Sequence, residues 1–132
     1  MIDEITQQIP QRRLFTRIPF EADYYLHDAS SGESWSGAVL DISLKGALVL
    51  CPHQFTASVD DEFVLELEVK DKDLKVVMLA SIAHTSDGFI GFRCHHIETE
   101  NELILRKILE TDLERPEFAN RDITEMLNNI AA

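Results

Sequence analysis

Turn-forming residues divide most of this sequence into short segments, and several of these segments alternate apolar and polar side chains. In residues 20–27 an apolar side chain stands at every second position, a period of two that is typical of a β-strand with one buried face. Stretches rich in aspartate, serine, glycine and lysine follow such segments at 28–32, 70–73 and 86–88. The pattern predicts about six short strands, at 20–27, 35–42, 46–51, 63–69, 74–84 and 89–96.

The spacing of apolar residues changes after Ile97. Thr99 and Glu102 are placed as in a capping box, where a hydroxyl and a carboxylate satisfy the free amide groups at the start of a helix. The helix that follows is predicted to bury one apolar face, made of Leu103, Ile104, Ile108, Leu109 and Leu113. Beyond Pro116 a second amphipathic helix is predicted to pack on the sheet, or else to meet a partner, through Ile123, Met126, Leu127 and Ile130.

Strands joined by short hairpins and followed by helices indicate a mostly β, antiparallel α+β domain rather than a βαβ fold. The pattern alone does not distinguish a small closed barrel from an open sheet. The 132 residues suffice for one domain. We expect residues 1–11 to form a flexible N-terminal leader, residues 12–115 the folded domain, and residues 116–132 a helical extension packed on or beside it.

The acidic composition excludes several classes of function. The chain has 24 acidic and 12 basic residues and a net charge of −12, which repels a polyanion, so broad binding to DNA or RNA is not expected.

No segment approaches the roughly 18 apolar residues of a membrane span, and the first residues lack the features of a signal peptide, so a cytoplasmic location is expected. The two cysteines, Cys51 and Cys94, are expected to be reduced thiols in the core.

The segment 12–17 is a basic exception in this acidic chain. It carries Arg12, Arg13 and Arg17 and no acidic residue. Arg13 and Arg17 are about 13 Å apart along an extended chain and about 6 Å apart on a helix, so in either conformation both side chains can reach one ligand. A guanidinium group bonds a phosphate or the O6/N7 edge of guanine bidentately, and it also stacks on a base. On its own, the segment is more typical of a solvated basic surface.

A second polar motif lies at the end of the predicted second strand, in residues 41–46. Asp41 and Ser43 are two positions apart, so both can face the same way, and Gly46 admits a positive φ and a close backbone approach. A carboxylate accepts hydrogen bonds from guanine N1 and N2, and a hydroxyl donates or accepts nearby. Together with the arginines these groups suit a guanine nucleotide, whereas the motif alone is also typical of an ordinary Asx-type turn.

Taken together and in this order, the two motifs resemble the PilZ domain family, in which RxxxR precedes the first strand and [D/N]xSxxG joins the second and third strands. The resemblance extends over residues 12–115 and includes Gly91 and Phe92 in the last predicted strand. It implies a small six-stranded antiparallel barrel with one or two C-terminal helices. It also implies a bacterial receptor for the second messenger cyclic di-GMP.

The resemblance implies that five residues bind cyclic di-GMP: Arg13, Arg17, Asp41, Ser43 and Gly46. The arginines would clamp phosphate and guanine, the aspartate and serine would bind a guanine, and the glycine would keep the turn open. Arg12 is similar to an arginine of family members that bind an intercalated ligand dimer. His84 stands where some similar proteins have an aromatic residue that stacks on a base, with an ordinary strand residue as the alternative.

The expected function is a receptor or adaptor whose arginine segment becomes ordered on cyclic di-GMP and which then signals to an effector protein. A PilZ-like interaction adaptor that does not bind nucleotide is the alternative. No enzyme, metal or other cofactor is expected. Cys94, His95 and His96 are neighbours on a predicted strand, where successive side chains face opposite ways, so they do not converge on one ion. One or two ligand molecules per chain are both compatible with the motifs.

Overall fold

The computed structural model describes residues 21–112 and 122–131, which contain six strands and two helices. The helices are α1 (Thr99–Asp112) and α2 (Ile123–Ala131), and a short 3-10 turn at Lys70–Lys72 lies between the fourth and fifth strands. The strands begin and end within two residues of the predicted segments: β1 (Ala22–His27), β2 (Ser34–Ser43), β3 (Gly46–Leu50), β4 (Glu62–Val69), β5 (Leu74–Ser86) and β6 (Phe89–His96).

The six strands close into one antiparallel barrel, in the order β1-β2-β3-β6-β5-β4. Closure leaves no strand with an unpaired edge, which removes the aggregation hazard of an open sheet. The predicted six-stranded antiparallel barrel followed by a helix is therefore confirmed. The structure also decides between the two arrangements that the sequence pattern allowed, because the sheet is closed.

Alternation along the strands fills the barrel with one continuous apolar core. In β1 and β4 every second side chain is buried, as the period of two predicts. Tyr24 is completely buried in this core, and its hydroxyl donates a hydrogen bond of 2.7 Å to the carbonyl oxygen of Leu50. Burial raises the pKa of the Tyr24 hydroxyl above its ordinary value, so this group stays neutral and remains a donor.

Helix α1 packs against β5 and adds its apolar face to the barrel core. That face consists of the buried Leu105, Ile108 and Leu109 and the partly buried Ile104, whereas Leu103, which was expected to belong to it, is 61% exposed. Leu113, which was also expected there, lies outside the described residues. The helix is therefore rotated from the predicted orientation, so that Leu105 is buried in place of Leu103. A contact outside the apolar face holds this orientation, because the side-chain oxygen of Asn101 accepts a hydrogen bond of 2.9 Å from the amide of Val77.

Both cysteines are free thiols, but only one of them is partly buried. Cys94 lies in β6 and packs against the barrel core. Cys51 is exposed, so the prediction of a core position was wrong for this residue. Cys51 follows the last residue of β3, where the alternation that sends side chains inward has ended. Among the residues described, neither helix is both long and apolar enough to cross a membrane.

Candidate functional site

The motif at residues 41–46 forms the end of β2, the turn that follows it, and the start of β3. Asp41 is 2% exposed and Ser43 is fully buried, which is unusual for a carboxylate and a hydroxyl at a strand end. The Asp41 carboxylate accepts a hydrogen bond of 2.9 Å from the amide of Ile42, and the Ser43 hydroxyl accepts one of 3.1 Å from the amide of Lys45. The turn is thus held by the same two side chains that are candidates for ligand binding.

A β-bulge in β2 decides which way the Asp41 side chain points. Val39 packs on the core and pairs with Val49, but the next pair in register is Asp41 with Leu48, so Leu40 is an extra residue. Strict alternation from Val39 would aim Asp41 into the apolar interior. The extra residue shifts the alternation, so that Ile42 enters the core while its neighbours Asp41 and Ser43 belong to the outer face.

A second bulge brings His84 to the same outer face. In β5, Ile82 pairs with Phe92 in the core, while the next pair is His84 with Gly91, which makes Ala83 the extra residue. His84 is exposed, and its Cβ lies 3.7 Å from the position that a Cβ on Gly91 would occupy. Each bulge therefore turns outward a polar side chain that strict alternation would bury.

One row of paired residues links these two side chains across four neighbouring strands. Asp41 pairs with Leu48, Leu48 with Gly91, and Gly91 with His84. Directly paired residues share a face of the sheet, so the four positions form a line on the outside of the barrel. Three strand spacings of roughly 4.8 Å separate the ends of the line, so Asp41 and His84 are about 14 Å apart at the backbone.

Helix α2 covers the middle of this row. Ile123 and Met126 are buried against Leu40 and Leu48 in a small apolar cluster on the outside of the barrel. Gly91 permits the close approach, because a Cβ at that position would lie 2.6 Å from the Cγ2 atom of Ile123. The apolar face predicted for the second helix thus packs on the outer surface of β3 and β6, between Asp41 and His84.

Gly46 is required by packing against the neighbouring strand. It pairs with Ser43 in β2 and with Arg93 in β6, so it lies between two strands at the base of the turn. A Cβ on Gly46 would overlap the carbonyl oxygen of Phe92. The close backbone approach predicted for this glycine is therefore what the structure shows.

Arg12, Arg13 and Arg17 lie outside the described residues, as do the expected domain boundaries near residues 11 and 115. Of the predicted site, the structure brings together Asp41, Ser43 and Gly46 and places His84 on the same outer face at the far end of the row. In residues 21–112 and 122–131 no group of three or more histidine, cysteine or acidic side chains is placed to hold a metal ion.

One residue of this outer face, Arg93, was not predicted from the sequence. It pairs with Gly46, which pairs with Ser43, so the three residues form a second row next to the first. Its position two residues after Gly91 in the same strand was a usable signal, because residues two apart share a face. The pairing with the motif is a long-range contact that the local pattern does not reveal.

Comparisons with known proteins agree with the motif and the barrel. A family model of the PilZ domain matches residues 11–111. The crystal structure of the PilZ domain of CeSA from a cellulose-synthesizing bacterium is similar, with a TM-score of 0.56 and 17% identity over 71% of this chain and 95% of that one. The structure of the Bacillus subtilis inhibitor of motility, MotI/DgrA, gives a TM-score of 0.58 with 11% identity over 76% of this chain, which spans 49% of that protein.

Proposed function

The chain belongs to the PilZ domain family, and from that membership we propose that it is a receptor for cyclic di-GMP. PilZ domains are receptor and adaptor domains rather than enzymes, and the family binds this messenger. We propose the same for this chain, acting in the cytoplasm, with no catalytic step and no cofactor. The ligand-binding residues of the proposal are Arg12, Arg13, Arg17, Asp41, Ser43 and Gly46, with His84 as a further contact.

The observation that carries the proposal is the outward placement of Asp41 beside Ser43 by a bulge. A carboxylate that is only 2% exposed is costly for a strand end to keep, and its retention beside Ser43 supports a ligand-binding role. A guanine base supplies the complementary donors at N1 and N2. Both side chains are nevertheless buried, so a ligand reaches them only when the residues that cover them move. This burial supports a receptor that changes shape when it binds.

The row from Asp41 to His84 supports a ligand larger than one nucleotide. Side chains about 14 Å apart at the backbone contact different parts of a ligand, and cyclic di-GMP consists of two guanosines joined by two phosphodiesters. Ile123 lies over Gly91 in the middle of that row. A ligand that reaches along the row therefore lies against α2, and binding would change both the arginine segment and the contacts of the helix.

We propose that this rearrangement is the signal that an effector protein recognises. The arginines carry the positive charge that a dianionic ligand neutralises, so binding changes the charge of the surface as well as its shape. The alternative, an interaction adaptor of the same family without nucleotide binding, is favoured by one observation. Asp41 and Ser43 hold the turn through hydrogen bonds from the amides of Ile42 and Lys45, as in a site with a structural role alone.

Calorimetric titration distinguishes the two functions. We expect the wild-type chain to bind cyclic di-GMP selectively over GTP and GMP. The Arg13→Ala, Arg17→Ala double variant is expected to bind at least about 100-fold more weakly, because it loses two charge-assisted contacts of roughly 1.5–3 kcal/mol each. The stoichiometry of the same titration tests Arg12, since a ratio of two ligands per chain is expected if a ligand dimer binds.

An Arg106→Ala, Lys107→Ala variant is the matched control, because it removes an arginine and a lysine from the exposed face of α1. It is expected to bind like the wild type. A folded wild-type chain that gives no heat and no competition at high ligand concentration would refute the receptor function and leave the adaptor alternative.

A further inference from the structure

Two positively charged side chains lie beside the candidate site on the outer face of the barrel: Lys45 in the turn and Arg93 in β6. Arg93 is in the same row as Ser43 and Gly46, one strand spacing of roughly 4.8 Å from the glycine. Lys45 immediately precedes Gly46 in the motif. Both side chains are exposed, and neither takes part in an ion pair with any other residue of 21–112 and 122–131. In a chain of net charge −12 this is a local excess of positive charge.

The backbone of Lys45 is fixed on both sides. Its amide donates to the Ser43 hydroxyl at 3.1 Å, and its carbonyl oxygen accepts a hydrogen bond of 2.8 Å from the amide of Cys94. The lysine side chain therefore starts from a rigid turn that is attached to β6. Binding an anion then requires ordering of the lysine side chain but not of the turn that carries it.

A cavity of about 280 Å3 lies between the turn, β6 and the start of α2. Its walls are formed by Leu44, Lys45, Arg93, Cys94, Asp122 and Ile123. The volume is near the lower limit of roughly 300–1,000 Å3 for sites that enclose a drug-sized ligand, so the cavity fits one part of a cyclic dinucleotide. Burial raises the pKa of the Cys94 thiol, so this wall stays neutral and does not oppose an anion.

We propose that Lys45 and Arg93 hold a phosphodiester of the ligand in this cavity, next to the guanine that Asp41 and Ser43 would bind. The inference rests on the proposed function and adds a phosphate contact at two residues that are not among the defining positions of the family motifs. Arginine bonds a phosphate through two parallel N–H groups, and lysine adds a point charge. The two cations then contribute affinity through charge, so their contribution decreases as salt increases.

Asp122 provides a variant that is expected to strengthen ligand binding, whereas the variants of Lys45 and Arg93 weaken it. It lies on the cavity wall that faces the cations, and its carboxylate accepts a hydrogen bond of 2.9 Å from the amide of Glu125 as the cap of α2. Its negative charge repels a phosphate in the cavity. Asparagine caps a helix about as well as aspartate, so Asp122→Asn removes the charge and keeps the helix start.

The test is a set of cyclic di-GMP titrations at several salt concentrations. The Lys45→Gln, Arg93→Gln variant is expected to bind about tenfold more weakly, since each exposed charge contact contributes a factor of up to roughly five. Its affinity should also depend less steeply on salt. The Lys45→Arg, Arg93→Lys variant keeps both charges and is expected to retain most of the affinity. Asp122→Asn is expected to bind about twofold more tightly.

The Lys70→Gln, Lys75→Gln variant is the control, because it makes the same change in net charge at two lysines that pair with Asp23 and Glu66. These residues lie by β1, β4 and β5, away from β3 in the barrel order. If Lys45→Gln, Arg93→Gln binds no more weakly than this control, or Asp122→Asn does not strengthen binding, the phosphate is elsewhere. A wild-type chain that does not bind the messenger instead refutes the proposed function.

Discussion

Replacing Gly46 by alanine is expected to lower the free energy of unfolding by about 3 kcal/mol, and the midpoint of thermal unfolding by about 10 °C. The added Cβ would overlap the backbone carbonyl of Phe92 in the neighbouring strand. A backbone atom in the middle of a paired strand cannot move aside as the end of a side chain can, so β3 and β6 must separate. Urea or thermal unfolding followed by circular dichroism measures the change.

Gly88→Ala is the matched control for this prediction. Gly88 lies in the turn between β5 and β6 at φ +83°, with no neighbouring atom within 4 Å of an added Cβ. Alanine there is expected to cost only the roughly 1–2 kcal/mol of a left-handed conformation. Equal losses in the two variants would show that the contact at Gly46 is relieved by a small adjustment, contrary to our account of the turn.

Asp41→Asn is expected to weaken cyclic di-GMP binding about 100-fold and to leave the fold intact. Asparagine keeps an oxygen that can accept the hydrogen bond from the Ile42 amide, so the turn retains this contact. The carboxylate that would accept two hydrogen bonds from guanine is lost, at a cost of roughly 3 kcal/mol. Calorimetric titration measures the affinity, and the thermal midpoint of the same sample reports stability.

Asp61→Asn is the control for the loss of a carboxylate. Asp61 is exposed in the loop before β4, where its carboxylate accepts a hydrogen bond of 2.9 Å from the amide of Ser58. This variant is expected to bind the ligand like the wild type. Unchanged affinity in Asp41→Asn, with the protein folded, would mean that Asp41 only stabilises the turn.

Most of the fold could be predicted from local patterns, because several strands have a period of two and turn-forming residues separate the strands. The closed barrel followed from the resemblance rather than from the pattern. The orientation of α1 could not be derived, since helical spacing permits either Leu103 or Leu105 on the buried face. Only the contact with β5 decides between them.

The arrangement of the candidate site depends on features that a local pattern does not encode. The bulges at Leu40 and Ala83 reverse the alternation just before Asp41 and His84, and without them both side chains would point into the core. Strict alternation therefore gives the wrong side for these residues. The contribution of Arg93 depends on the register between β3 and β6, and the position of α2 on Gly91 is likewise a long-range contact.

The central claim is that cyclic di-GMP binds the outer face formed by β2, β3, β6 and β5. A titration of the isotopically labelled chain followed by amide NMR spectra tests it most directly, because each amide reports its own surroundings. We predict that the amides of Ser43, Lys45, Gly46 and Gly91 shift strongly, while those of Tyr25 and Glu68 on the opposite side of the barrel do not. A spectrum unchanged at millimolar ligand, or shifts confined to β1 and β4, would contradict the account.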